Sequence, residues 1–199
     1  HRVEILAELT KLRQICCDPA LVYENYRGPA AKLSAIAELV DAAYESGEKV
    51  LVFSQFTSFL DLISKELEAR RIPFYTITGA TPKRRRVNLV DAFNSNDTPA
   101  FLISLKAGGT GLNLTGASQV IHADPWWNAS AQNQATDRAH RIGQTHRVSV
   151  QKVIAKGTIE ERIQRLQQAK ADLADQVIGA SGTSLAGMTR EELYELLEG

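Results

Sequence analysis

Apolar residues recur along this chain in two alternating rhythms, and the alternation predicts a fold. Over residues 1–17, Val3, Leu6, Leu9, Leu12, Ile15 and Cys16 fall three or four apart, the spacing of one helix face. Asp18-Pro19 ends that helix, because a proline ring disfavours helical backbone in the residue before it. Tyr23 to Pro29 reads as a loop, and Lys32 to Ser46 as a second helix with Leu33, Ile36, Leu39, Val40 and Ala43 inward and Gly47 as its stop. Short segments rich in apolar and β-branched residues then appear at 49–53, 74–78, 100–105, 120–124 and 149–155. Each is too short for a helix and bounded by turn residues, so each reads as a strand. Phe56 to Arg70 is the first crossover helix, and Gly79-Ala80-Thr81-Pro82 the turn before the next, with Thr81 as N-cap and Pro82 at the first helical position. Strands alternating with helices predict an α/β fold, a doubly wound parallel sheet with helices on both faces.

From Thr158 the rhythm becomes purely helical. Ile159, Ile163, Leu166, Leu173 and Val177 line one side of a long amphipathic helix, and a Gly/Ser linker follows from Gly179 to Gly187. Thr189 and Glu192 form a capping box for a last short helix through Leu197. The expected division is a lobe over residues 1–157, whose residues 1–46 are a helical lead-in, and a helical extension over 158–199.

Composition narrows this picture modestly. The 199 residues fit one large domain with a small appendage, and 44% hydrophobic content is enough for a core. No apolar run reaches membrane-spanning length, so no membrane partner is expected. The first residue is His1, not Met, and a piece of a longer protein is expected. Cys16 and Cys17 match neither a disulfide framework nor a zinc pattern. His122 and His140 have no partners at ligand spacing, so no metal site is expected. Net charge is zero, but unevenly spread: residues 158–199 hold eight acidic side chains against four basic ones, leaving the body at +4. A mildly basic body with an acidic tail permits phosphate contacts.

Candidate chemistry collects between Phe101 and Gln144. Gly108, Gly109 and Gly111 follow a strand and let backbone approach a partner closely. Gln134, Arg138 and Arg141 fall at i, i+4 and i+7, one face of a helix. A guanidinium offers phosphate a planar fork of donors that stays charged. Ser54 and Gln55 stand at the carboxyl end of a strand, where open parallel sheets gather ligands, or else cap the next helix. Lys83, Arg84, Arg85 and Arg86 crowd the first turn of a helix against its dipole.

Three blocks, AGGTGLNL, DPWWN and QATDRAHRIGQ, stand in this order and at this spacing. Together they resemble the second RecA-like lobe of helicase superfamily two, most closely the SWI/SNF family of DNA-translocating ATPases. The resemblance implies that Arg141 and Arg138 reach a nucleotide held by another lobe, with Gln134 opening the same motif. It places Gly109, Gly111 and Asn113 toward ATP, and Thr110 with its glycines toward a DNA phosphate. Ser54, Gln55 and Arg86 are implied to face nucleic acid, Lys83 to Arg85 being a solvated face. Trp127, expected at the surface, is implied to touch DNA, and Trp126 to pack. Asp18 stands where the family commonly has histidine, and Ala129 where it usually has proline.

There is no G-x-x-x-x-G-K-[ST] loop and no acidic magnesium motif after a strand. ATP and Mg2+ are therefore implied to sit mainly on a first lobe, and this chain is expected to be inactive alone. The implied partners are that first lobe, double-stranded DNA, and RNA polymerase or another DNA-bound protein that such a motor displaces. The implied place is the nucleoid of a bacterial cytoplasm, or the nucleus in a eukaryote. The helix from Thr158 is expected to brace the lobe against the first one. The competing reading is a non-catalytic RecA-like module that docks on nucleic acid or protein.

Overall fold

The computed structural model describes residues 2–108, 111–139 and 147–176. Its centre is β1 (Val50–Ser54), whose five residues are all buried. A strand buried on both faces must read as an unbroken apolar run, which is how KVLVF reads. β1 pairs in parallel with β3 (Ala100–Ser104) on one side and β4 (Gln119–His122) on the other. β2 (Phe74–Ile77) and β5 (Ser149–Lys152) complete a five-stranded parallel sheet in the order β2-β3-β1-β4-β5. All five expected strands are present, and the carboxyl ends of β1, β3 and β4 lie side by side.

Side chains alternate across the sheet, so the strands supply two cores. Val50, Val52, Ala100, Leu102, Ile121 and Ala123 point to one face, covered by α2 (Ala31–Glu45) and α3 (Thr57–Ala69). Leu51, Phe53, Phe101, Ile103 and Val120 point to the other. There α4 (Lys83–Ser95), α5 (Leu105–Gly108) and α6 (Ala129–Thr136) cover them. Each fully buried Leu, Ile or Phe contributes about 1.5–3 kcal/mol relative to exposure. Gly47 ends α2 at φ 70°, a left-handed conformation that favours glycine.

A third cluster joins α1 (Arg2–Cys17) to α7 (Ile159–Gln176), with Leu9, Trp127, Ile159 and Ile163 buried together. Here the structure corrects the expected inward stripe of α1. Val3 is 80% exposed and Leu12 40%, while Leu9, Arg13 and Cys17, four apart, face inward. Helical periodicity was right, but a buried cation sits in the middle of the stripe. After α1, the Asp18 carboxylate accepts the Ala20 N–H at 2.8 Å and caps a single 3-10 turn, Pro19–Leu21.

The expected cap of α4 changes as well. The Thr81 hydroxyl accepts the Thr78 N–H at 3.0 Å and caps nothing in α4, which starts at Lys83. The side chain closes its own turn instead. The linker from Gly179 to Gly187 and the helix through Leu197 lie outside the described residues.

α7 is attached to the sheet by charge. Lys32 on α2 and Glu160 on α7 are both buried, and Lys32 Nζ donates to the two carboxylate oxygens at 2.6 and 2.5 Å. Lys32 also donates to the Ala123 carbonyl at 3.1 Å, and Glu160 accepts the Ala155 N–H at 2.8 Å. Burial pushes the Glu160 carboxyl above its ordinary range, and Lys32 opposes that shift. Removing one partner strands a charge away from water, which costs about 3–5 kcal/mol, whereas removing both does not. Lys32→Met and Glu160→Met should each lower unfolding free energy by about that amount in urea titrations. The double variant should be more stable than either single one.

Candidate functional site

The carboxyl edge of the sheet is organised around one acid. Asp124 follows β4 and is almost fully buried. Its carboxylate accepts the Ser54 hydroxyl in a short hydrogen bond and the Gln55 N–H at 3.3 Å. Arg13 reaches it from α1, Nη2 lying 4.0 Å from Oδ1. The same Nη2 donates to the Pro125 carbonyl at 3.1 Å, which also accepts Gln55 Nε2 at 3.1 Å. The guanidinium is sandwiched between Phe56 and Trp127, 5.2 and 5.0 Å from their ring centres. Burial raises the Asp124 carboxyl, and Ser54 and Arg13 pull it back. Burial likewise lowers Arg13, countered by Asp124.

The next layer is the segment after β3. Leu112 and Leu114 are buried in the core while Gly111 and Asn113, which alternate with them, face solvent. Gly111 has φ 70°, so the backbone there favours glycine. Asn94 of α4 holds this segment by donating Nδ2 to the Asn113 carbonyl at 2.8 Å and accepting the Gly116 N–H at 3.0 Å. The Leu114 N–H donates to the Arg138 carbonyl at 3.0 Å, joining the glycine segment directly to the arginine segment.

That second segment departs from expectation. α6 ends at Thr136, and Asp137 to Ala139 form turns in which Arg138 N–H and Ala139 N–H donate to the carbonyls of Ala135 and Thr136. Gln134 is exposed, but Arg138 is 8% exposed, so the two do not present a common helical face. The turn rotates Arg138 inward beside Ala135 and Ala139, which are core residues. His122 pins the end of α6: its Nε2 lies 2.9 Å from the Thr136 hydroxyl, and its ring stacks on Phe53 at 5.7 Å. Burial, with the Lys152 charge, lowers the imidazole to about 4.

The description "Helicase conserved C-terminal domain" matches residues 31–143, more than half of the chain. The chain is 32% identical to the Sulfolobus solfataricus SWI2/SNF2 ATPase C-terminal domain, with a TM-score of 0.74, covering 99% of this chain and 82% of that one. This chain is a SWI/SNF-family helicase C-terminal lobe. A second solved structure, the Sulfolobus solfataricus SWI2/SNF2 ATPase core in complex with dsDNA, matches with a TM-score of 0.77 at 32% identity, over 99% of this chain and 42% of that one. Among curated relatives, YwqA of Bacillus subtilis (strain 168), an ATP-dependent helicase/translocase by name, is 41% identical over 96% of this chain. The chain spans about a fifth of the length of three of these relatives, 22% of that one and 19% of two more.

The SWI/SNF lobe thus holds Ser54 and Gln55 at the carboxyl end of β1 and ties the segment of Gly111 and Asn113 to Arg138 through the Leu114 N–H. It does not bring Trp127 to the surface. Trp127 is 8% exposed, packed under Arg13 and against α1 and α7, while Trp126 is the more open of the two. An apolar indole beside two amphipathic helices is better buried than solvated, which overturns the expected surface position. Ser54 is also buried and neither faces outward nor caps α3; it serves Asp124, while its hydroxyl accepts the Phe56 N–H at 3.1 Å. Arg86 is half-buried and donates to its own turn, to the Thr81 carbonyl at 2.7 Å and the Gly79 carbonyl at 3.0 Å. Lys83, Arg84 and Arg85 are exposed. Gly109, Thr110, His140 and Arg141 lie outside the described residues.

Sequence reasoning missed Arg13, Lys32, Asn94, Asp124 and Glu160. The available signal was a charge set on an apolar stripe, as with Arg13 between Leu9 and Cys17.

The His122 shift fixes a sign for pH dependence. Its folded value, about 4, lies below the ordinary 6.5, so its contribution is complete above pH 6.5 and is lost as pH falls toward 4. The loss approaches roughly 3 kcal/mol at the acid end. Asp124 and Glu160, raised by burial, run the opposite way, so a comparison isolates the imidazole. Urea midpoints measured from pH 7 to 4.5 should fall more steeply for the wild type than for His122→Asn.

Proposed function

We propose that this lobe is the second half of a DNA-dependent ATPase that moves along double-stranded DNA, and that it works only against a partner lobe. The observation that carries the reading is the Leu114–Arg138 hydrogen bond. It ties the segment after β3 directly to the turn that carries Arg138. Phosphate on either segment is then felt by the other, which is what coupling ATP turnover to DNA contact requires. The complex of the Sulfolobus relative with dsDNA supports the DNA side of this reading.

In this reading Arg141 and Arg138, with Gln134, approach a nucleotide held by the first lobe, Arg138 after leaving the inward position it now holds, and their charge stabilises the transferring phosphoryl group. Asn113, Gly111 and Gly109 line the nucleotide side. Thr110, Gln55 and Arg86 meet the DNA backbone, Gln55 and Arg86 after giving up the carbonyls they now hold. Bound Mg2+ would neutralise phosphate charge, but Asp124 is a poor ligand for it. Its oxygens are enclosed and already engaged by Ser54 and Gln55 with Arg13 beside them. Metal and nucleotide therefore belong mainly to the other lobe.

Two outcomes check this. The purified 199-residue chain should hydrolyse no ATP above background, with or without DNA. Arg141→Ala in the full-length protein should lower DNA-stimulated turnover by about a thousand-fold while ATP affinity, read by fluorescent-nucleotide titration, stays unchanged. Equal loss of binding and turnover would mean a structural role, and ATPase of the isolated chain would end the split-site account.

A further inference from the structure

α6 carries Gln134 and leads into Arg138, yet it has little apolar grip. Among its described side chains only Gln132 and Ala135 are buried, and an eight-residue helix is not stable by itself. Alanine has no shape to key a helix against its neighbours. The side chain that can set the roll of α6 is therefore an amide. Gln132 is 2% exposed, and its Oε1 accepts two donors at 3.3 Å: the Trp126 N–H and Nε2 of Gln167 on α7. Gln167 is itself buried. One turn on, Thr136 donates to the Gln132 carbonyl at 3.3 Å and meets His122. Gln132 Nε2 has no partner among the described residues. A buried amide kept with one end unsatisfied is costly, so the position is not explained by stability.

We infer that Gln132 is a positioning residue: held by Gln167, it lets α7 set the orientation in which Gln134 and Arg138 meet the nucleotide. This rests on the function proposed above. It gives the helix after Thr158 a role inside its own lobe. Small misplacements of charge-stabilising groups cost rate while leaving substrate affinity alone, since such groups act chiefly on the transition state.

The test uses the full-length protein with Gln132→Met, Gln167→Met and the double variant. ATP is titrated at saturating double-stranded DNA, DNA at saturating ATP, and thermal unfolding is recorded for each. Each single variant should lower kcat by about tenfold, with KM for ATP and the half-saturating DNA concentration within about twofold of wild type. The double variant should lose no more than either single one, because both changes break the same link. Unchanged kcat in Gln167→Met, losses that multiply in the double, or losses confined to KM would each overturn the proposal. If Gln132→Met fails to fold, Gln167→Met decides. An active wild type with indifferent variants sinks this inference alone; a wild type without DNA-stimulated turnover sinks the underlying function as well.

Discussion

A buried carboxylate holds this lobe together at the carboxyl edge of the sheet. Asp124 is shut inside the fold, and its charge is tolerable only because Ser54, Gln55 and Arg13 are brought to it. Those partners come from β1, the turn after β1, and α1. Next to it Lys32 and Glu160 do the same for α2 and α7, with Lys32 also on the carbonyl of Ala123, the residue before Asp124. Buried ion pairs of this kind add little net stability compared with apolar packing of equal volume. What they enforce is position, since any rearrangement leaves a charge unpaired.

The consequence is a rigid frame behind a less constrained front. β1 and β4 cannot shift relative to each other at their carboxyl ends without exposing Asp124. In front of that frame, α6 and the turn carrying Arg138 are fastened by neutral hydrogen bonds: Thr136 to His122, Leu114 to Arg138, Gln132 to Gln167. Neutral bonds contribute about 1 kcal/mol each and break more readily than a buried ion pair. The function proposed above, contact with nucleotide and DNA in turn, is suited by fastening of that strength.

Fold class was fully legible, because a parallel sheet covered on both faces leaves continuous apolar runs that helices interrupt. The family was legible in AGGTGLNL, DPWWN and QATDRAHRIGQ, standing in that order and at that spacing. Side-chain direction was not. Trp127 and Arg138 stand next to polar residues in sequence, and nothing local says that one slides under Arg13 and the other turns inward after α6 ends at Thr136. Arg13, Lys32 and Glu160 look like surface charges on amphipathic helices until their partners, more than 90 residues away for Arg13–Asp124 and Lys32–Glu160, are seen.

The sequence by itself determined the alternation of helix and strand, its parallel winding, and the residue types able to meet phosphate, since periodicity and glycine placement are local properties. Only the tertiary structure decided which of those residues face a ligand and which serve the frame. Burial of a charge depends on what the rest of the chain places beside it, and Asp124 acquires its partners from three elements that meet only when the sheet is assembled.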